Sequence, residues 1–158
     1  MDIYKCLKDL DIKYEEIEHP AIYTVEEGKK INREIEGIGC KNLFLKDHKG
    51  HFFVVSLEKD KEIKLNDLRK YLHLSNLHFA DEQYLHDLLG VIKGSVTPLG
   101  IINDKDNKVT IVLDEELVNK KLLFHPLVNT KTINIEYKDL IKFIESLNHK
   151  YIIIKKDS

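Results

Sequence analysis

Cysteine, proline and glycine are all scarce in this sequence, and long apolar runs are missing. The two cysteines, Cys6 and Cys40, are too few for a disulfide scaffold and form no CxxC pair, so both are read as reduced thiols. Three prolines and seven glycines are scattered rather than pooled, which excludes a Pro/Gly linker and low-complexity tracts; no internal repeat is present. No stretch approaches the ~18 apolar residues of a membrane span, and Met1 to Lys5 carries no basic segment leading into an apolar run. A cytoplasmic protein with no membrane partner is therefore expected. An excess of one charge is missing too. Lys+Arg 25 against Asp+Glu 27 leave a formal net charge of −2, so no global positive field gathers nucleic acid. DNA is not expected as a partner, and any RNA contact must be local.

What is present is enough for a core. With 158 residues, 42% hydrophobic and 33% charged, one domain over residues 1–158 is expected, and wholesale disorder is excluded. Asp2 can cap a first helix carrying Ile3, Cys6, Leu7 and Leu10, followed by an extended piece from Tyr14 to Glu18. Thr24 and Glu27 have capping-box spacing before a helix from Val25 toward Ile35. Gly37 and Gly39 then break the chain. Asn42 to Lys46 and Phe52 to Ser56 flank the polar Asp47-His48-Lys49-Gly50, which predicts a hairpin. Asn66 is read as the cap of a helix with Leu68, Tyr71 and Leu72, and Asp81 as the cap of another with Tyr84, Leu85, Leu88 and Leu89, stopped by Gly90. Strands are predicted at Val109 to Leu113, Leu122 to Phe124 and Thr132 to Ile135. A helix from Tyr137 to Leu147 and a short apolar segment from Tyr151 to Ile154 follow. The expectation is an α/β or α+β domain on a mixed, largely antiparallel sheet surrounded by helices.

Eight histidines invite a metal site. His48 and His51 have HxxH spacing, but they fall in the predicted hairpin loop, lack a nearby third ligand and miss HExxH. His73, His78 and His86 show no ligand spacing. No metal and no cofactor are expected. Cys40 beside Lys41 could be an activated thiol, though a half-buried structural thiol is the plainer reading. The absence of a G-x-S-x-G elbow, a Walker loop and a dinucleotide fingerprint argues against the common covalent and phosphoryl-transfer classes. Gly94-Ser95-Val96-Thr97-Pro98-Leu99-Gly100 follows the apolar Val91-Ile92 and forms a tight turn that can aim backbone amides at an oxygen or merely connect two elements. His125-Pro126, at a predicted strand end, suits catalysis or a structural hydrogen bond equally. Lys41 alone reads as a surface lysine.

Taken together, Cys40-Lys41-Asn42-Leu43-Phe44-Leu45-Lys46-Asp47, then Gly94 to Gly100, then Phe124-His125-Pro126-Leu127-Val128-Asn129-Thr130 resemble, in order and approximate spacing, the YbaK/ProX-type aminoacyl-tRNA deacylases. His19-Pro20 followed by Thr24 to Glu27 also looks like that family's N-terminal segment. The resemblance spans nearly the whole chain and is closest to the freestanding ProX branch, which resembles the editing insertion of bacterial prolyl-tRNA synthetases. Leu99 departs from it, since an aromatic residue is common there. The resemblance implies an editing-domain-like fold and hydrolysis of alanine from mischarged proline tRNA, with the tRNA acceptor end as partner and prolyl-tRNA synthetase as a candidate one. It also implies that Lys41 holds the terminal phosphate or ester oxygen, that Gly94 and Ser95 present the loop to the aminoacyl group, and that His125 orients water or ribose. Asn42, Thr97, Pro98 and Asn129 would line the substrate. A cysteinyl-tRNA deacylase of the YbaK branch, or a noncatalytic module binding tRNA ends or aminoacyl esters, are the alternatives.

Overall fold

In the computed structural model, residues 2–21 and 34–155 are described. The Asp2 side chain accepts from the Tyr4 amide at 2.9 Å and caps α1, Ile3–Asp9, as expected. The strands are β1 Glu16–Glu18, β2 Ile38–Lys46, β3 Phe52–Glu58, β4 His78–Phe79, β5 Val109–Asp114, β6 Lys121–Phe124, β7 Lys131–Glu136 and β8 Tyr151–Ile154. They form one eight-stranded sheet in the order β1-β7-β6-β2-β3-β5-β8, with β4 paired to β2. The β1–β7, β2–β3, β2–β4 and β6–β7 pairs are antiparallel; β2–β6, β3–β5 and β5–β8 are parallel. The mixed α+β sheet expected from the sequence is therefore the fold.

The predicted hairpin is β2–β3, with Asn42 opposite Ser56 and Lys46 opposite Phe52. Gly39 does not break the chain before it; β2 begins at Ile38 and pairs with Leu122 and Leu123 of β6 there. Asn66 is not a cap. The helix α2 runs Leu65–Tyr71 behind Lys64, and Asn66 inside it accepts from Arg69 Nε at 2.9 Å instead. After Asp81, α3 Glu82–Tyr84 widens into a π-helical turn over Leu85–Leu89, and Gly90 ends it at φ +66°, as a left-handed C-cap requires. The helix α4, Tyr137–Ser146, buries Leu140, Phe143 and Ile144. The capping box at Thr24 and Glu27 and the helix predicted from Val25 lie outside the described residues; Glu34 and Ile35, at its predicted far end, lie in a turn and a bend. No helix among the described residues is long and apolar enough to cross a membrane.

β2 carries apolar side chains on both faces. Phe44 points into the main cluster with Ile3 and Leu7 of α1, Leu85, Leu89 and the α4 residues, whereas Leu43 and Leu45 point into or against a second cluster with Leu68 of α2. The strand's alternation thus assigns Asn42 to the α1/α4 side and Lys41 to the α2 side.

A buried pair joins the chain's C-terminal part to the loop before β5. Asp104 accepts from the amides of Lys108 at 3.1 Å and Val109 at 2.7 Å and from His149 Nε2 at 2.9 Å. Burial pushes the carboxyl pKa up, but these hydrogen bonds outweigh it and the net direction is down. A depressed carboxyl contributes stability that is present above its unfolded value of about 3.9 and is lost as pH falls through the folded value. Asp104→Asn, which replaces the carboxylate with a neutral amide, should cost about 1.5–3 kcal/mol at neutral pH, the worth of hydrogen bonds to a charged group. Thermal unfolding at pH 7 and pH 3 should show a shallower acid limb for the variant; an unchanged limb would assign the acid sensitivity elsewhere.

Candidate functional site

β6 pairs with β2 only at Ile38 and Gly39, and β4 only at Leu45 and Lys46. Between them this edge of β2 has no strand partner among the described residues. Ala80 donates to Phe44 O on that edge at 3.0 Å, so the alternation of the antiparallel ladder turns the Asn42 N–H and C=O the same way. The loop around Gly94 is tied to this stretch of β2 through a side chain. Asn42 Nδ2 donates to Val96 O at 3.1 Å, while Asn42 Oδ1 accepts from the buried Ser56 hydroxyl at 2.6 Å. Asn42 is thus a bracket that ties the loop to the sheet.

Within the loop, Gly94 is exposed at φ +90°, a region that strains any residue with a Cβ. A Cβ there would meet only Asn129 Nδ2, at an ordinary 3.7 Å, so the backbone angle and not crowding inside the protein requires glycine. The Ser95 amide closes a turn onto Ile92 O at 3.0 Å. Thr97 and Pro98 are buried and start a 3-10 helix, Pro98–Asn103, with Thr97 Oγ1 accepting from the Leu99 amide at 3.2 Å. Leu99 is wholly buried in the main cluster beneath the loop.

Two polar atoms stand out. Ser95 Oγ and Asn129 Nδ2 are buried with no hydrogen-bond partner, in residues 0% and 7% exposed. A buried donor left unmade costs about 1–3 kcal/mol, so two of them near one glycine are the kind of defect a ligand repairs.

Asn129 belongs to the β6–β7 connection, which also carries His125. His125 Nδ1 lies 2.9 Å from Lys131 O. A carbonyl only accepts, so Nδ1 bears the proton and the neutral ring keeps its lone pair on Nε2. Burial and then the nearby His19 lower the His125 pKa against the raising effect of the Lys131 carbonyl, and the net direction is down. The ring is a neutral acceptor at physiological pH. In the same connection Leu127 sits at φ +71°, a conformation that costs a non-glycine residue roughly 1–2 kcal/mol and must be held by its surroundings.

The structure therefore brings Asn42, Gly94, Ser95, Thr97, Pro98 and Asn129 together and places His125 on the loop that carries Asn129. Lys41 does not join them. It faces the α2 side of β2 and borders an open depression of about 570 Å³ with Lys61, Lys64, Asp67 and Tyr71. Cys40 is no activated thiol, because burial pushes it up to about 12. His48 packs against His78 with ring centroids 4.9 Å apart and planes tilted by 51°, and His51 is held by Asp47 at 2.7 Å. Among the described residues, no group of three His, Cys, Asp or Glu could hold a metal ion. Sequence reasoning missed Ser56, whose signal is one hydroxyl in the apolar run Phe52 to Leu57. It also missed Thr132, which carries no signal of its own.

A family model described as aminoacyl-tRNA editing domain matches residues 19–143. Prolyl-tRNA synthetase associated domain-containing protein 1 of Danio rerio is 37% identical over 159 residues, covering 99% of this chain and 86% of that protein. Prolyl-tRNA editing protein ProX of Acetoanaerobium sticklandii is 38% identical over 152 residues, covering 94% of this chain and 92% of that protein. A solved structure described as a candidate trans-editing enzyme for prolyl tRNA synthetase superposes with a TM-score of 0.73 at 17% identity, over 99% of this chain and 96% of that one. At that identity the likeness is one of fold.

Proposed function

Because the chain belongs to the aminoacyl-tRNA editing domain family, we propose that it is a cytoplasmic trans-editing hydrolase. In this reading it cleaves the ester joining alanine to the terminal adenosine of mischarged proline tRNA, as one domain over residues 1–158 and without a cofactor. The observation that carries the reading is the pair of buried, unpartnered donors, Ser95 Oγ and Asn129 Nδ2, near Gly94. Water adds to the ester carbonyl carbon and charge grows on the carbonyl oxygen. The carbon–oxygen bond to the ribose then breaks, and the ribose oxygen leaves with a proton. Donors fixed before the reaction stabilise that charge without reorganising. The Nε2 lone pair of His125 orients the water or the neighbouring ribose hydroxyl. Prolyl-tRNA synthetase, whose error would be cleared, is the proposed protein partner.

The need for a second pocket follows from size. A synthetase site built for proline cannot strongly reject a smaller amino acid, since each missing methylene is worth only about 1–3 kcal/mol. A pocket too small for proline sorts the two in the opposite sense. Purified protein should therefore release alanine from proline tRNA much faster than it releases proline. Equal release, or release of proline alone, sinks the sieve. Faster release of cysteine moves the protein to the cysteinyl branch, and binding without release makes it a noncatalytic module.

A further inference from the structure

We propose that His19 is the positioning residue of this site, clamping the connection that carries His125 and Asn129 so that His125 Nε2 is held for the substrate. This rests on the editing-hydrolase reading. His19 lies just past β1 and is tied to the β6–β7 connection and the start of β7 at two points. Its amide donates to Thr130 O at 2.9 Å, and its Nε2 lies 2.8 Å from Oγ1 of the buried Thr132. Its Nδ1 lies 2.8 Å from Pro20 O, which can only accept. Nδ1 therefore bears a proton, and in the neutral ring Nε2 takes the Thr132 hydroxyl proton as a hydrogen bond. The Glu18 to Lys131 pairing of the β1–β7 ladder adds a third tie.

The ring of His19 faces the ring of His125 with centroids 6.0 Å apart and planes 55° apart. Both imidazoles thus converge on the short segment from Lys131 to Thr132, one through a carbonyl and one through a hydroxyl. His125 Nε2 makes no hydrogen bond with a described residue, which is the state expected of a group that waits for a ligand. The charged groups around it are few. Lys131 offers His125 its carbonyl, while its ammonium lies 5.7 Å from the Tyr4 ring centroid. Glu18, opposite Lys131 in the ladder, is exposed. Burial is the main cause that lowers the His125 pKa, and the charged form of His19 lowers it further, so His19 contributes to the titration of His125 as well as to where the connection sits.

The test compares His19→Phe, His19→Gln and Thr132→Val with the natural protein. Long-range proton–nitrogen spectra of the histidine rings, recorded on the free protein, read tautomer and titration without any tRNA. With His19 replaced, His125 should titrate at higher pH, and the acidic limb of kcat for alanyl-tRNA should move with it. His19→Phe and Thr132→Val should lower kcat by about tenfold with KM within twofold, as expected for a misplaced reacting group. Glutamine, which can accept from Thr132, should restore most of kcat without restoring the natural titration. An unchanged His125 titration together with unchanged kcat in all three variants overturns the proposal. If the rings respond as described but alanyl-tRNA is not hydrolysed, the clamp stands and the substrate reading fails.

Discussion

Asn129→Ala should lower kcat for alanyl-tRNA by about a hundredfold, the effect of removing one preorganised donor from a developing oxyanion, while the folded protein stays nearly as stable as before. The two outcomes belong together. Asn129 Nδ2 is buried without a partner, so truncation removes an unsatisfied donor and breaks no bond made by that atom. The small cavity it leaves and the relief of the orphan donor oppose each other, and the net change should stay within about 1 kcal/mol. Asn129→Asp should be at least as inactive, because it puts an acceptor and a charge where negative charge develops. Single-turnover deacylation measures the first outcome and thermal unfolding the second. Full activity in Asn129→Ala would remove the residue from the reaction. A drop of many degrees in Tm alongside the lost activity would make its role structural.

The parts of this fold that were legible in the sequence are those whose periodicity has one solution. Leu140 and Ile144 mark the buried stripe of α4, with Ile141 and Leu147 half-buried beside it, and the apolar runs on either side of Asp47 to Gly50 form the hairpin. The two-residue β4 carries no period to read. Asn66 looked like a cap because its residue type favours that position, but the cap is Lys64, two residues earlier, whose carbonyl accepts from Asp67 and Leu68. Gly39 looked like a break and is a strand residue, because the parallel pairing with β6 comes from a segment more than eighty positions away. The site was legible as a set of motifs but not as a geometry. β2 is apolar in both directions, so nothing in Leu43, Phe44 and Leu45 tells which side holds the loop, and only the folded chain shows that Asn42 shares the loop's side while Lys41 lies on the other. His19 stood in plain view before Pro20, yet its partner Thr132 is 113 positions away and gives no local signal.

That separation of faces decides what Lys41 should do. Lys41→Ala should reduce kcat/KM for alanyl-tRNA by roughly ten- to a hundredfold, the worth of a charge-assisted contact of about 1.5–3 kcal/mol, and most of the loss should appear in KM. In the proposed reading, a lysine on the α2 side of β2, in a depression it shares with Lys61, Glu62, Lys64 and Asp67, meets a phosphate of the tRNA end and not the scissile carbonyl. Binding through a phosphate is salt-dependent, so the slope of log affinity against log salt should become shallower by about 0.7 in the variant. Lys41→Arg should be only partly tolerated, because the planar guanidinium is larger and differently directed. Folding should hardly change, since a lysine at the border of an open depression contributes little to the core. Lys49→Ala, an exposed lysine in the β2–β3 turn, should leave both constants and the salt slope nearly intact. A Lys41→Ala protein with full kcat/KM, or one that loses activity only by unfolding, would send the search for the phosphate contact to another face. A loss confined to kcat would instead return Lys41 to the reacting ester.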